Sequence, residues 1–189
     1  MNKAVLTLAT GALLPGLSLA APSSHAGEAK VSKRHVVVYH EPGRFGGWPA
    51  NNGAWIWGDE ILVGFAQAYY AASEDDHSYD RDRGSKSVLA RSLDGGETWS
   101  LEDPEGFVGD GKEAAPSPGG IDFAHPDFAM RVAGDELFVS SDRGRTWKGP
   151  YALPNFGGKR LSARTDYLVN GSDDCLLFLS AKEPRVQAG

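Results

Sequence analysis

At 189 residues, with 41% hydrophobic and 23% charged side chains, the chain can hold one domain with its own core, or part of a larger one. A formal net charge of −6 argues against a nucleic-acid partner, because neutralising phosphates requires a basic face. The 24 glycines and 11 prolines point to many turns rather than long helices, and the single Cys175 excludes an internal disulfide framework.

In chain order, Met1-Asn2-Lys3 is a short basic start and Ala4 to Ala20 an apolar run broken only by small residues, Thr, Gly and Pro15. Ser18-Leu19-Ala20 and Ser24-His25-Ala26 supply small residues for cleavage after Ala20 or Ala26. Residues 1–26 therefore read as a secretory signal peptide, and the mature chain, 27–189, as secreted or periplasmic. A buried or spanning helix is the alternative. Gly11, Pro15 and Gly16 weaken it, and the run is marginal against the ~20 residues a bilayer needs.

Beyond residue 30 the chain reads as short strands between turns. Expected strands are Arg34 to Tyr39, Glu60 to Phe65, Ser87 to Ser92, Glu136 to Ser140, Tyr167 to Val169 and the apolar run from Cys175 to Leu179. Gly58-Asp59, Gly134-Asp135 and Asn170-Gly171 are hairpin turns between them, so Asn170-Gly171-Ser172 reads as a turn before a glycosylation sequon. Leu62 to Ala72 is the one tempting helical window. Cys175 reads as a small buried hydrophobe. The fold class is all-β.

An internal repeat sharpens this. Ser92-Leu93-Asp94-Gly95-Gly96-Glu97-Thr98-Trp99 and Ser140-Ser141-Asp142-Arg143-Gly144-Arg145-Thr146-Trp147 both spell S-x-D-x-G-x-T-W, and they start 48 residues apart. In such a turn the Asp accepts backbone N–H groups just ahead of it and Gly supplies a positive φ. Thr is expected to begin the return strand, and Trp to bury its ring against a neighbouring sheet. Ser92, Asp94, Gly96, Thr98 and Trp99, with Ser140, Asp142, Gly144, Thr146 and Trp147, are thus structural residues.

These two octapeptides resemble the Asp box, or bacterial neuraminidase repeat, of sialidase-like β-propellers. The resemblance implies blades of four strands, about three to four of them in the roughly 160 mature residues, drawn from a six-bladed ring. A second stretch, from Pro42 through Arg44 and Trp48 to Phe65, resembles the opening blade of that superfamily. There an arginine, matched here by Arg44, clamps the substrate carboxylate through its planar fork. Phe45-Gly46-Gly47-Trp48-Pro49 replaces the family's Ile-Pro, and a plain hairpin-end arginine is the competing reading.

In that family a loop before the first box carries an aspartate acting as general acid. Asp82 is the best match, with Asp80 and Asp76 as rivals; crowded carboxylates can raise one another's pKa. A solvated charge loop explains the same residues. Asp80-x-Asp82-x-Gly84 also offers oxygen ligands, without the downstream Glu that a calcium loop needs. Arg164 could line the same funnel with Asp166 orienting it, or both could form a structural ion pair. Trp48 could stack on a sugar, whereas Trp55 and Trp57, at period two, mark one buried strand face.

The resemblance implies an exo-glycosidase for terminal sialic acid or a similar acidic sugar, with catalytic Asp82 and Arg44 and substrate-binding Arg44, Trp48, Arg164 and Asp166. No metal or other cofactor is implied. The family's nucleophilic tyrosine–glutamate pair has no match by position, so the chain reads as a partial propeller, inactive alone, for association to complete. The alternative is a non-catalytic propeller binding glycan or protein. No membrane span is expected in the mature chain.

Overall fold

The computed structural model describes residues 33–74 and 76–183, so the expected signal peptide lies outside the described residues. Every element falls within the unit His35–Gly189. The chain is all-β. Three antiparallel or mixed sheets follow one another, and among the described residues no helix is long and apolar enough to cross a membrane.

The first sheet is built on one long strand. β3 (Glu60–Tyr69) pairs along its second half with β1 (Arg44–Gly47) and along its first half with β2 (Ala54–Trp57). A single helical turn, α1 (Pro49–Asn52), interrupts what would otherwise be one continuous edge strand. Gly64 permits this. A Cβ there would lie 2.5 Å from the carbonyl oxygen of Asn52, so only glycine lets α1 sit down on the strand. β4 (Ser85–Ser92) and β5 (Ser100–Glu102) complete the meander. The tempting helical window at Leu62 is therefore strand, because its residues are buried on both faces and lose the alternation that marks a half-exposed strand.

The second sheet runs β7 (Ala129–Ala133), β8 (Glu136–Ser140) and β9 (Lys148–Ala152), all antiparallel, with β6 (Ala115–Pro116) added parallel to β9. The third is a two-stranded hairpin, β10 (Arg160–Val169) and β11 (Cys175–Lys182). The strand expected at Arg34 to Tyr39 is absent. Val38 and Tyr39 lie instead on the face of the first sheet, against Phe65, Val88 and Ala90, because β1 already occupies the adjoining edge. The described residues form no closed ring or barrel.

Period-two alternation stacks the sheets. Ala129 and Phe138 face Trp55, Leu62 and Leu89 of the first sheet, while Met130, Val132 and Leu137 face Ala163, Tyr167 and Leu177 of the hairpin. Trp55 and Trp57 share the first of these cores and Ile56 between them is exposed. Cys175 is half-buried in the second core, and burial pushes its thiol pKa up.

The two boxes close identically. Each Ser hydroxyl donates to its Asp at 2.7 Å and accepts the backbone N–H of the following Gly at 2.8 Å. The same Asp oxygen takes the backbone N–H of Thr98 or Thr146 at 2.9 Å, and the indole N–H of Trp99 or Trp147 donates to the Gly carbonyl at 3.0 Å. One expectation needs correcting: Thr does not begin the return strand. Its hydroxyl donates to the second Asp oxygen, and the strand starts two residues later, at Ser100 or Lys148. The tryptophans differ too. Trp147 is 5% exposed, in contact with Trp55 and Phe107, while Trp99 is half-buried at the edge of the smaller core.

A buried ionic hub joins the first sheet to the second box. Glu60, 8% exposed, accepts from Arg91 at 2.7 Å and from Arg143 and Arg145 at 2.8 Å. Arg91 also pairs with Glu102 at 2.7 Å, and Arg143 pairs with Asp127. Burial pushes the Glu60 carboxyl pKa up, but hydrogen bonds from Arg143 and Arg91 and the charge of Arg145 outweigh it, so the net shift is downward. Glu60→Gln should destabilise the fold by about 1–3 kcal/mol, read from denaturant midpoints, because the buried Arg91 would keep only Glu102 as counter-charge while the more exposed Arg143 and Arg145 are partly solvated. A loss below about 1 kcal/mol would mean that water replaces the carboxylate.

The Asp94 carboxyl is held down to about 2 by the Thr98 hydroxyl, the Thr98 N–H and Ser92. A depressed folded-state pKa gives stability that is complete above the ordinary value of 3.8 and is lost as pH falls toward about 2. The stability gap between wild type and Asp94→Asn should therefore narrow across that window, followed by thermal melts in a pH series.

Candidate functional site

The sequence brings Arg44 to a cleft through strand register. Arg44 opens β1 directly across from Tyr69 at the end of β3, which sets its guanidinium 4.0 Å from the centre of the Tyr69 ring. The turn after β3 returns Arg83 to the same ring, 3.1 Å from its centre. Arg44, Gln67, Tyr69, Arg83 and Lys86 line a cleft of about 280 Å³. Lys86 pairs with Asp103 at 3.4 Å. Among the described residues, Arg44 and Arg83 form no ion pair, and the buried Nε of Arg44 has no acceptor. Burial lowers the Arg44 pKa, but hydrogen bonding with Tyr39 and Tyr69 and the charge of the nearby Glu41 carboxylate outweigh it. With no carboxylate directly bonded to either guanidinium, two cations on one aromatic ring are arranged to receive an anion.

Beside this cleft lies a pair that sequence reasoning missed. The Tyr39 hydroxyl donates to Glu41 at 3.0 Å and accepts from the Gln67 amide at 2.8 Å. Gln67 thus links the pair to the cleft wall. Tyr39 reaches this position because its ring lies over Gly46, where a Cβ would come within 2.7 Å of it. No strand signal marked Tyr39 as polar machinery, since its run of valines read as a strand.

Asp82 is exposed and immediately precedes Arg83 in the chain, but it is not among the residues that line the cleft. Its side chain makes no hydrogen bond among the described residues, whereas its backbone N–H donates to Asp80 at 3.0 Å. The rivals are occupied. Asp80 also accepts the N–H of Arg83 at 3.2 Å, closing an Asx turn, and Asp76 pairs with Arg81. Among the described residues no group of three His, Cys, Asp or Glu is placed to hold a metal.

Trp48 packs inward. Its ring meets Phe45 at 5.0 Å, the edge of Tyr79 at 5.2 Å and that of His77 at 5.0 Å, and its indole N–H donates to His77 at 3.4 Å. The side chain therefore pins the 70–84 loop to the start of α1.

Arg164 and Asp166 flank a bulge in β10. Between them Thr165 takes a φ of 54°, and its hydroxyl donates toward the Asn51 carbonyl at 3.2 Å and accepts from Val132 N–H at 3.2 Å. Arg164 and Asp166 are exposed, and no hydrogen bond or ion pair joins either of them to the other, or to Arg44, Trp48 or Asp82, among the described residues. The structure thus gathers Arg44, Arg83 and the Tyr39–Glu41 pair, and leaves the Asp82 side chain exposed and Arg164 and Asp166 on the hairpin.

No family model, curated protein or solved structure matches the chain.

Removing the wedge is a direct test of the loop's attachment. Trp48→Ala should make the bonds after Arg81 and Arg83 markedly more sensitive to trypsin while the global melting transition moves little. Unchanged cleavage rates would show that the loop is held elsewhere.

Proposed function

We propose that the chain is a segment of an exported, sialidase-like Asp-box propeller, and that Arg44 and Arg83 hold the carboxylate of a terminal acidic sugar above Tyr69. The observation that carries this reading is the pair of guanidiniums on one ring, neither directly bonded to a carboxylate, although the charge of Glu41 reaches Arg44, and one with a buried, unsatisfied Nε. The successive stacking of sheets, with a box between the last two strands of the first and second, supports the propeller architecture. Association to complete a ring would use the outward hairpin face, where Leu176 and Phe178 are about half exposed.

As a hydrolase the site has the parts for double displacement. The Tyr39 oxygen attacks the anomeric carbon while Glu41 takes its proton. The glycosidic C–O bond breaks and Asp82 protonates the departing oxygen; water then releases the sugar. The exposure of Asp82, without a contact to Arg44 or Tyr39, favours the second reading, a module that binds the same sugar without cleaving it.

Equilibrium binding of N-acetylneuraminate and hydrolysis of a fluorogenic sialoside, both by the full chain, separate these readings. Arg44→Ala should weaken binding by about tenfold to a hundredfold, the worth of a charge-assisted hydrogen bond. Turnover lost in Tyr39→Phe identifies the enzyme, and Arg44-dependent binding without turnover identifies the module. Binding that is indifferent to Arg44 and Arg83 would overturn both.

A further inference from the structure

A second cleft, of about 290 Å³, opens against the second Asp box, on the side of β8 and β9 where the 118–128 segment folds over them. Its walls are unlike those of a packing defect. Phe128 is fixed edge-on against both Phe123 and Tyr167, at 5.6 and 6.2 Å, and with Tyr151 it gives the cleft a rigid aromatic surface. Around that surface stand Lys148, His125, Ser141 and Asp122.

What these polar groups lack is partners. Lys148 forms no ion pair, and the Ser141 and Tyr151 hydroxyls form no hydrogen bond, among the described residues. The His125 Nδ1 accepts the Asp127 N–H at 3.1 Å, so the neutral ring carries its proton on Nε2 and has that donor to spare. Asp122 accepts the Ala124 N–H at 3.1 Å through one oxygen, leaving the other for a ligand hydroxyl. A cation, three further donors and one acceptor around aromatic rings describe a small ligand with one acid group, several hydroxyls and an apolar face.

The two boxes also differ where the cleft is lined. Ser141 and Lys148 stand where the first box has Leu93 and Ser100. The staple itself is the same in both repeats, so the hairpin fold does not require the change.

We infer that this cleft is a second binding site, separate from the Arg44 cleft, for a hydroxylated carboxylate of about the size of one sugar acid. Lys148 holds the carboxylate, Phe128 and Tyr151 contact the apolar face, and His125, Ser141 and Asp122 take the hydroxyls.

Titration of the full chain with sodium glucuronate, followed by heteronuclear NMR, tests the assignment, with glucose and acetate as arms that carry only one half of the chemistry. Saturable shifts on residues 119–128 and 141–151 are expected, with weaker binding of both control ligands. Lys148→Met should weaken the glucuronate titration read at residues 119–128 and 141–151 by about tenfold or more, and the same shifts should titrate unchanged in Arg44→Ala, whose own cleft can take an acidic sugar and would report at residues 67–86. Lys148 is exposed at a strand start, and an unaltered melting temperature in Lys148→Met confirms that the loss is local. No saturable shifts in this region, equal affinity for glucose, or indifference to Lys148 would each overturn the inference. Loss of the shifts at residues 119–128 and 141–151 in Arg44→Ala alone would place glucuronate in the other cleft, and would equally overturn it.

Discussion

The carboxylate of Glu60 is the point on which the arrangement of the first two sheets turns. It sits at the start of β3, the strand that organises the first sheet, and it receives three guanidiniums, two of them from the second box. Apolar stacking of Trp55, Leu62 and Leu89 on Phe138 and Trp147 brings the two sheets together, but such contact is non-directional and tolerates sliding. Charge-assisted bonds of fixed geometry do not. They select one relative placement of the sheets, and they do so in a region where an unpaired guanidinium would carry a heavy desolvation cost. The box aspartates stay ionised for a different reason. Their neighbours donate hydrogen bonds to the charged form, so Asp142 is held below the ordinary carboxylate range although burial pushes it upward.

The candidate site depends on that framework only indirectly. Arg44 and Arg83 are set by the end of β3 and by the turn that follows it, so their approach to Tyr69 is decided within the first sheet. Thr165 extends the connection further, since its hydroxyl touches both α1 and β7. Through it the bulge of the hairpin is registered against the same helical turn that Trp48 caps.

Local chemistry was legible in the sequence and long-range chemistry was not. Strands β4, β8 and β11 are marked by β-branched or apolar runs bounded by turns, and the boxes declare themselves because the partners of the Ser and Asp side chains lie within the same eight residues. Arg34 to Tyr39 has the composition of a strand yet finds no free edge, a matter of tertiary competition that no local window reports. Glu60 read as an ordinary strand residue, because its three partners come from positions 31 to 85 residues away. Arg44 stood out by resemblance. Arg83 and the Tyr39–Glu41 pair became visible only when the 70–84 loop and the segment before β1 were folded back onto β3.

The closure of the box within eight residues has a consequence for how such chains change over time. The Ser and Asp side chains of the staple find their partners inside it, and at the position after the Asp one backbone N–H, of Gly95 or Arg143, reaches outside to the carbonyl of Asp59 or Asp127. The staple is portable. Copies can be duplicated or transplanted wherever a hairpin and one outside carbonyl are on offer, and the remaining positions are then free to acquire contacts of their own, as Arg143 and Arg145 have with Glu60. The half-exposed Trp99 and the enclosed Trp147 are two stages of integration of one cassette: the same octapeptide, once resting at the margin of its surroundings and once absorbed into them.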